Sequence, residues 1–372
     1  MTTSRERLLA AMACTAADRV PISTYELVGW NEDAWENKEP SYRRLMDVIR
    51  EKTDCIYMTR VDWKAAKPDG PTIRADVKTW SEGSSHYREV VRYTPKGPLR
   101  SLHRVDDGIH TTWTLEHPLK SIDDIDRYLS IPWYPPQVDM TRFFEDQRRL
   151  KDRGVMMLSV SDPICEAAAL FGMERFLVHA ITETERIRYF LDALHERQMH
   201  QLRQILAHPV HDVQFRICGP EYATPPYLSP DHFRLLVTPY LTRICTAIRE
   251  ANGFARVHCH GKVGAVLDQI VSAGAQGLDP IEPPPDGDIT LAEVKRRYGR
   301  ELCLFGNIEL RELENSDPER IEQLVKTAID EAAEGGGFVL MPTAAPINVP
   351  LSPRTERNYF AYIEAGLKYG GY

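Results

Sequence analysis

Eight short apolar runs, separated by longer stretches with helical spacing, constrain the fold of this chain more than any other feature. The runs are Val20–Tyr25, Asp54–Thr59, Val155–Val160, Asp212–Ile217, Ala255–His258, Gln276–Ile281, Leu302–Gly306 and Phe338–Met341. They read as brief strands, apolar on both faces, the pattern of parallel strands covered on both sides. Between them lie the helical patterns Arg43–Lys52, Met140–Lys151, Thr184–Ala207, Asp231–Ala251, Val263–Ala273, Leu291–Tyr298, Glu319–Glu334 and Tyr359–Lys368. Ser316 is the expected N-cap of the penultimate one, with Pro318 in its first turn.

Strand–helix alternation requires right-handed crossovers between parallel strands, and eight such units close a ring. The expected fold is therefore an α/β (β/α)₈ TIM barrel, with a doubly wound open sheet as the rival. No Gly-rich fingerprint follows an early strand, which disfavours a nucleotide-binding version of that rival. Residues 64–133 break the rhythm. They hold Gly, Pro and β-like pieces at His86–Arg92 and His110–Leu115, and read as a β-rich excursion over the barrel mouth, between the second and third strands. The whole of 1–372 is expected to be one barrel domain.

In such barrels the chemistry sits at the C-terminal ends of the strands. Those ends carry Tyr25 and Glu26, Arg60, Asp162, Glu221, His258-Cys259-His260-Gly261, Asp279 and Glu282, and Asn307. His258 and His260, two apart at a strand end, point to one face and form a candidate metal pair. Glu221 is the expected third ligand, with Glu282 as second choice and zinc as the ion. The competing reading is two hydrogen-bonded rim histidines with no metal. Cys259 is expected to face the helices. Glu282 and Glu26 are candidate acid–base groups, and Asn307 is either a neutral polar anchor or a turn. Tyr25, Trp30, Arg60, Asp162 and Tyr227 are candidate substrate contacts.

Composition excludes several classes. A charge of −8 with scattered Lys and Arg does not suit nucleic acid. No apolar stretch is long enough to span a bilayer, and Met1–Met12 is charged, so no membrane association and a cytoplasmic location are expected. Seven dispersed cysteines, without a CxxC pair, are not a disulfide framework.

Several pieces resemble the uroporphyrinogen decarboxylase superfamily: Val257-His258-Cys259-His260-Gly261, Gly277-Leu278-Asp279-Pro280, Leu304-Phe305-Gly306-Asn307-Ile308, Gly335-Gly336-Gly337-Phe338-Val339-Leu340 and Asn358. Ser4-Arg5-Glu6-Arg7-Leu8-Leu9 and Asp18-Arg19-Val20-Pro21 add to the likeness. The resemblance implies a (β/α)₈ barrel. True decarboxylases of the superfamily carry an arginine-rich segment after the first strand, where this chain has Tyr25-Glu26-Leu27-Val28-Gly29-Trp30. A porphyrinogen with many carboxylates is therefore a poor substrate guess. The other branch, the cobalamin-dependent methyltransferases, binds zinc through His-x-Cys and a distant Cys. Here His260 replaces the first cysteine and Ala344 or Ala345 the second.

The resulting expectation is a metal-assisted methyltransferase. It would move a methyl group from a small substrate, such as an O-methyl compound, to a corrinoid carried by a partner protein. A metal-free decarboxylase of a small acid, using Arg60 with Glu26 or Asp162, is the alternative. A non-catalytic corrinoid or small-molecule binding module is the third reading.

Overall fold

In the computed structural model, residues 2–68 and 70–372 are described. Met1, and Asp69 within the expected excursion, lie outside the described residues. The strands in chain order are β1 Cys55–Thr59, β2 Asp62–Lys64, β3 Arg74–Glu82, β4 Ser85–Thr94, β5 Gly97–Asp106, β6 Trp113–Glu116, β7 Gln137–Asp139, β8 Gly154–Ser161, β9 Gln214–Cys218, β10 Phe254–Cys259, β11 Gly277–Pro280, β12 Cys303–Ile308 and β13 Phe338–Pro342. Seven of them form one curled parallel sheet in the order β1-β8-β9-β10-β11-β12-β13. Helices cross over between its neighbours, as parallel pairing demands.

The strand expected at Val20–Tyr25 does not form as such. Its segment makes one isolated bridge, Ile22 to Leu340. Even so, it bonds to both edges of the sheet. Ser23 N donates to Leu340 O at 2.9 Å, Leu340 N to Pro21 O at 3.0 Å, and Asp54 N, just before β1, to Ile22 O at 2.8 Å. Pro21 has no N–H to give, and Tyr25 turns the chain at φ +56°, so a regular ladder cannot be sustained here.

The concave face of the sheet holds a compact apolar cluster that includes Ile56, Val155, Met157, Phe254, Phe305, Val339 and Met341. The helix Ser4–Met12 adds Leu8 and Ala11 to this cluster and so plugs the end where the strands begin. Arg7 fixes the plug, donating to Asp54 at 2.6 Å and Asp18 at 2.7 Å. The convex face packs against the helices in a second, larger core.

Some helices differ from expectation. The stretch Asp231–Ala251 divides into Pro230–Leu236 and Thr238–Glu250, because Pro239 lacks the N–H that a continuous helix needs. In the helix Pro318–Ala332 the N-cap position falls on Asp317, whose side chain makes no capping bond, and not on Ser316, whose hydroxyl bonds to Glu312. Between β1 and β8 the chain builds a four-stranded antiparallel sheet, β3-β4-β5-β6. The β-like piece at His86–Arg92 lies in β4, but His110 is outside β6 and stacks on Trp35 at 4.1 Å.

Candidate active site

The concave face at the C-terminal ends of the strands is polar. Register explains how. Ser159 on β8 lies beside Arg216 on β9, which lies beside Arg256 on β10. One step higher, Ser161 is level with Cys218, His258 and Asp279. Paired residues in a parallel sheet point to the same side. The reading of these strands as apolar on both faces is thus wrong for β9 and β10, whose inward residues are Gln214 and Arg216, and Arg256 and His258.

Arg256 is fully buried and donates to Asp279 at 2.9 Å and to Gln214 at 3.1 Å. Its guanidinium lies 4.1 Å from the Phe305 ring centre. Arg216 donates to the phenol oxygen of Tyr25 and, at 2.9 Å, to Nε2 of His258. A guanidinium has no lone pair to offer, so this Nε2 is the acceptor and the proton of His258 sits on Nδ1. Nδ1 then donates to Asp279 at 3.0 Å. Burial above all pushes His258 down to about 4, so the ring is neutral at pH 7. Burial works to raise Asp279, but Arg256 and His258 outweigh it and hold the carboxyl well below its usual range. Burial also pushes the Tyr25 phenol up, which keeps it neutral.

His260 stands with its ring perpendicular to that of His258, centres 4.6 Å apart. Its Nδ1 is 2.8 Å from Glu282, whose other oxygen accepts from Gly261 N at 2.7 Å. Burial alone would lower this imidazole. The hydrogen bond and charge of Glu282 overcome it and raise His260 above its ordinary value.

The expected metal set does not assemble. Among the described residues, no three His, Cys, Asp or Glu side chains converge to hold an ion. The physical reason is the donor set itself. A zinc ligand needs a free imidazole lone pair. That of His258 is taken by a cationic arginine, whereas His260, with Nδ1 donating to Glu282, keeps Nε2 unengaged. Glu221 folds back, accepting from Gly219 N at 2.9 Å. As these side chains stand, His258 and Glu221 are engaged elsewhere and do not complete a metal site with His260.

The remaining expected residues separate. Tyr25 enters the site, and Glu282 supports His260. Asn307 donates to Ile281 O at 3.0 Å and so fixes the loop after β11. Glu26, Arg60 and Tyr227 are exposed at the strand ends or on the loops beyond. Asp162 instead caps the helix Pro163–Phe171, accepting from Ile164 N at 2.9 Å, fully buried and pushed toward its neutral form by burial. Trp30 lies under the guanidinium of Arg153, at the start of β8, the wrong end for the site. Cys259 faces the helices, its sulfur 3.1 Å from Thr224 Oγ1. Sequence reasoning missed Arg216 and Arg256. The signal was present: Arg256, His258 and His260 alternate with apolar residues at period two.

Buried charge decides what this site can take. Arg216 and Arg256 carry two positive charges, Asp279 one negative, and His258 none. Within these four groups one positive charge is surplus, Glu26 and Glu221 being the further carboxylates that act on Arg216, and Nε of Arg216 has no hydrogen-bond partner among the described residues. An uncompensated buried cation is costly, and a bound anion relieves it.

Comparison with known proteins adds context. Residues 110–352 match the family model for uroporphyrinogen decarboxylase (URO-D). A uroporphyrinogen decarboxylase of Xanthomonas axonopodis pv. citri (strain 306) is 33% identical over 113 residues, 30% of each chain. The methylcobamide:CoM methyltransferase MtaA of Methanosarcina barkeri is 28% identical over 204 residues, 54% of this chain and 57% of that one. The alignments thus span less than two thirds of either relative. A solved methyltransferase from Methanosarcina mazei shares the fold across 99% of both chains, at TM-score 0.59 and 16% identity. No described helix is long and apolar enough to cross a membrane.

Proposed function

Since the chain belongs to the uroporphyrinogen decarboxylase family, we propose that it is an enzyme moving a methyl group between a small anionic substrate and a corrinoid carried by a partner protein. The observation that carries this reading is the surplus positive charge at Arg216, set beside the His260–Glu282 pair. Arg216, with the Tyr25 phenol, binds the acid group of the substrate. Asp279 and His258 hold the guanidinium in place. His260, whose protonated form Glu282 favours, gives its proton to the substrate oxygen that loses the methyl group. Proton donation of this kind is worth about 10²–10⁴ in rate. It replaces the Lewis-acid role expected of zinc. When docked, the corrinoid supplies the cobalt centre that exchanges the methyl group. Trp63 and Tyr227, 37% and 52% exposed on the segments after β1 and β9, offer it flat apolar contacts. The longer alignment with the methyltransferase favours methyl transfer over decarboxylation.

In the same reading, the chain is one (β/α)₈ domain with segment 20–24 as its eighth stave, supported by that segment's bonds to both sheet edges. Residues 64–133 form an insertion at the mouth, supported by the bridge from Ile109 to Asn348 in the loop after β13. A cytoplasmic location is part of the proposal.

The test is methyl transfer from methoxy-substituted carboxylates to Co(I) cobalamin, read by absorbance, with metal measured on the same sample. The expected result is transfer that chelator leaves unchanged, that needs no stoichiometric metal, and that Arg216→Met abolishes. Release of CO₂ without methyl transfer refutes it in favour of the decarboxylase. Tight retention of an acid with no turnover refutes it in favour of a binding module.

A further inference from the structure

The wall of the sheet has a notch. β1 ends at Thr59, whose register partner is Leu158. β8 continues three residues further, to Ser161, paired there only with β9. On its other side the chain leaves the wall at Arg60, and β2 goes off to pair with β7. Behind this gap lies a cleft of about 500 Å³. That size suits a small organic ligand.

The cleft has a distinct chemistry. Its walls include Leu158 and Val160 of β8 and Met199, Leu202 and Ile205 of the helix Thr184–Leu206. Ser159, also on its wall, is the register neighbour of Arg216, so the cleft lies one strand away from the polar site, on the helix side of β8. At the opposite end stands Arg60, exposed, with no ion pair or hydrogen bond among the described residues. Within the cleft, Gln198 donates to Glu166 at 3.0 Å, while its own carbonyl oxygen is buried without a partner among the described residues. Thr59, the last paired residue of β1, is level with Leu158 and Phe215, so Arg60, the next residue, starts about two strand spacings from β9, roughly 10 Å.

We propose that this notch is a substrate subsite, and that the substrate is an amphipathic acid with an anionic group at each end. One end binds Arg216, the apolar body lies in the cleft, and the other end binds Arg60. This rests on Arg216 being the anion anchor of the proposed function. Arg60 was a candidate substrate contact from sequence, but as part of the main site. Here it sets the length and the second charge of the ligand.

Calorimetric titration of the intact protein with octanedioate and with octanoate separates the two ideas. Octanedioate is expected to bind about tenfold more tightly, a fair return for one charge-assisted contact. Arg60→Ala should erase that preference and leave octanoate unchanged. Leu202→Trp, which fills the cleft, should weaken both acids about tenfold. Gln198→Ala is the milder variant if the tryptophan disturbs folding, as judged by its unfolding midpoint, and should weaken both acids in the same direction. Equal affinity of the two acids, or a preference that survives Arg60→Ala, overturns the subsite. If Arg216→Met still abolishes binding in that case, the anchor stands without the notch. Unchanged binding of both acids by Arg216→Met overturns the anchor as well.

Discussion

Asp279 is paired with both buried arginines, and its removal should be expensive. Asp279→Asn keeps the shape of the side chain and removes the charge. Arg256, 2.9 Å away and fully buried, then has no counter-ion, and Arg216, at 4.0 Å, loses its nearest one. Breaking a buried pair by removing one partner costs about 3–5 kcal/mol. For 372 residues the entropy of unfolding is about 0.8 kcal/mol/K, so about 4 kcal/mol lowers Tm by about 5 °C. The discriminating control is the double variant Arg256→Met/Asp279→Leu. Arg256 already lies among the sulfurs of Met157 and Met341 and the ring of Phe305, surroundings that accept an apolar side chain. The double variant should therefore regain about half of the loss, because desolvation no longer has to be offset. Urea unfolding of wild type, the single and the double variants measures both quantities. A loss under about 1 kcal/mol in Asp279→Asn, or a double variant less stable than the single, refutes the reasoning.

Two further outcomes follow from the buried titrating groups. His195 is buried, has no partner for either ring nitrogen among the described residues, and is pushed down to about 4, chiefly by burial and then by Arg243. The unfolded ring titrates near 6.5, so between about pH 6.5 and 4 the unfolded state takes up a proton the folded state refuses, and stability falls as pH falls. His195→Phe should reduce the stability lost between pH 7 and pH 4.5 by about 2 kcal/mol, read from urea midpoints; an unchanged loss contradicts it. Glu282→Gln removes the charge that raises His260, so the limb where activity falls as pH rises should move to lower pH. A pH–rate profile with an unmoved limb would remove His260 as the proton donor.

How much of this was legible in the sequence depended on how locally each feature is encoded. The strands of the parallel sheet lie in the expected runs because buried strands announce themselves as short apolar stretches. The first run is an exception, since Pro21 cannot complete a ladder. The helix Pro163–Phe171 was missed because it is apolar nearly all round and lacks the stripe by which a surface helix is read. Within the site, His258 and His260 were placed by the strand-end rule. Their chemistry was not, because it is set by Arg216 and Asp279 on neighbouring strands, partners 42 and 21 residues away. A His-x-His spacing looks the same whether its lone pairs are free or already taken.

The plug at the base of the sheet also fixes a timetable. Leu8 and Ala11 leave the ribosome about 330 residues before Val339 and Met341, which line the apolar socket they fill. The helix Ser4–Met12 therefore waits, its apolar side uncovered, until β13 has been synthesised. Contacts so far apart in sequence slow folding. They also tie the helix Ser4–Met12 and β13 into one cooperative unit, so a nascent chain stalled short of β13 presents a cork with an unfinished bottle, and that is the state a chaperone would meet.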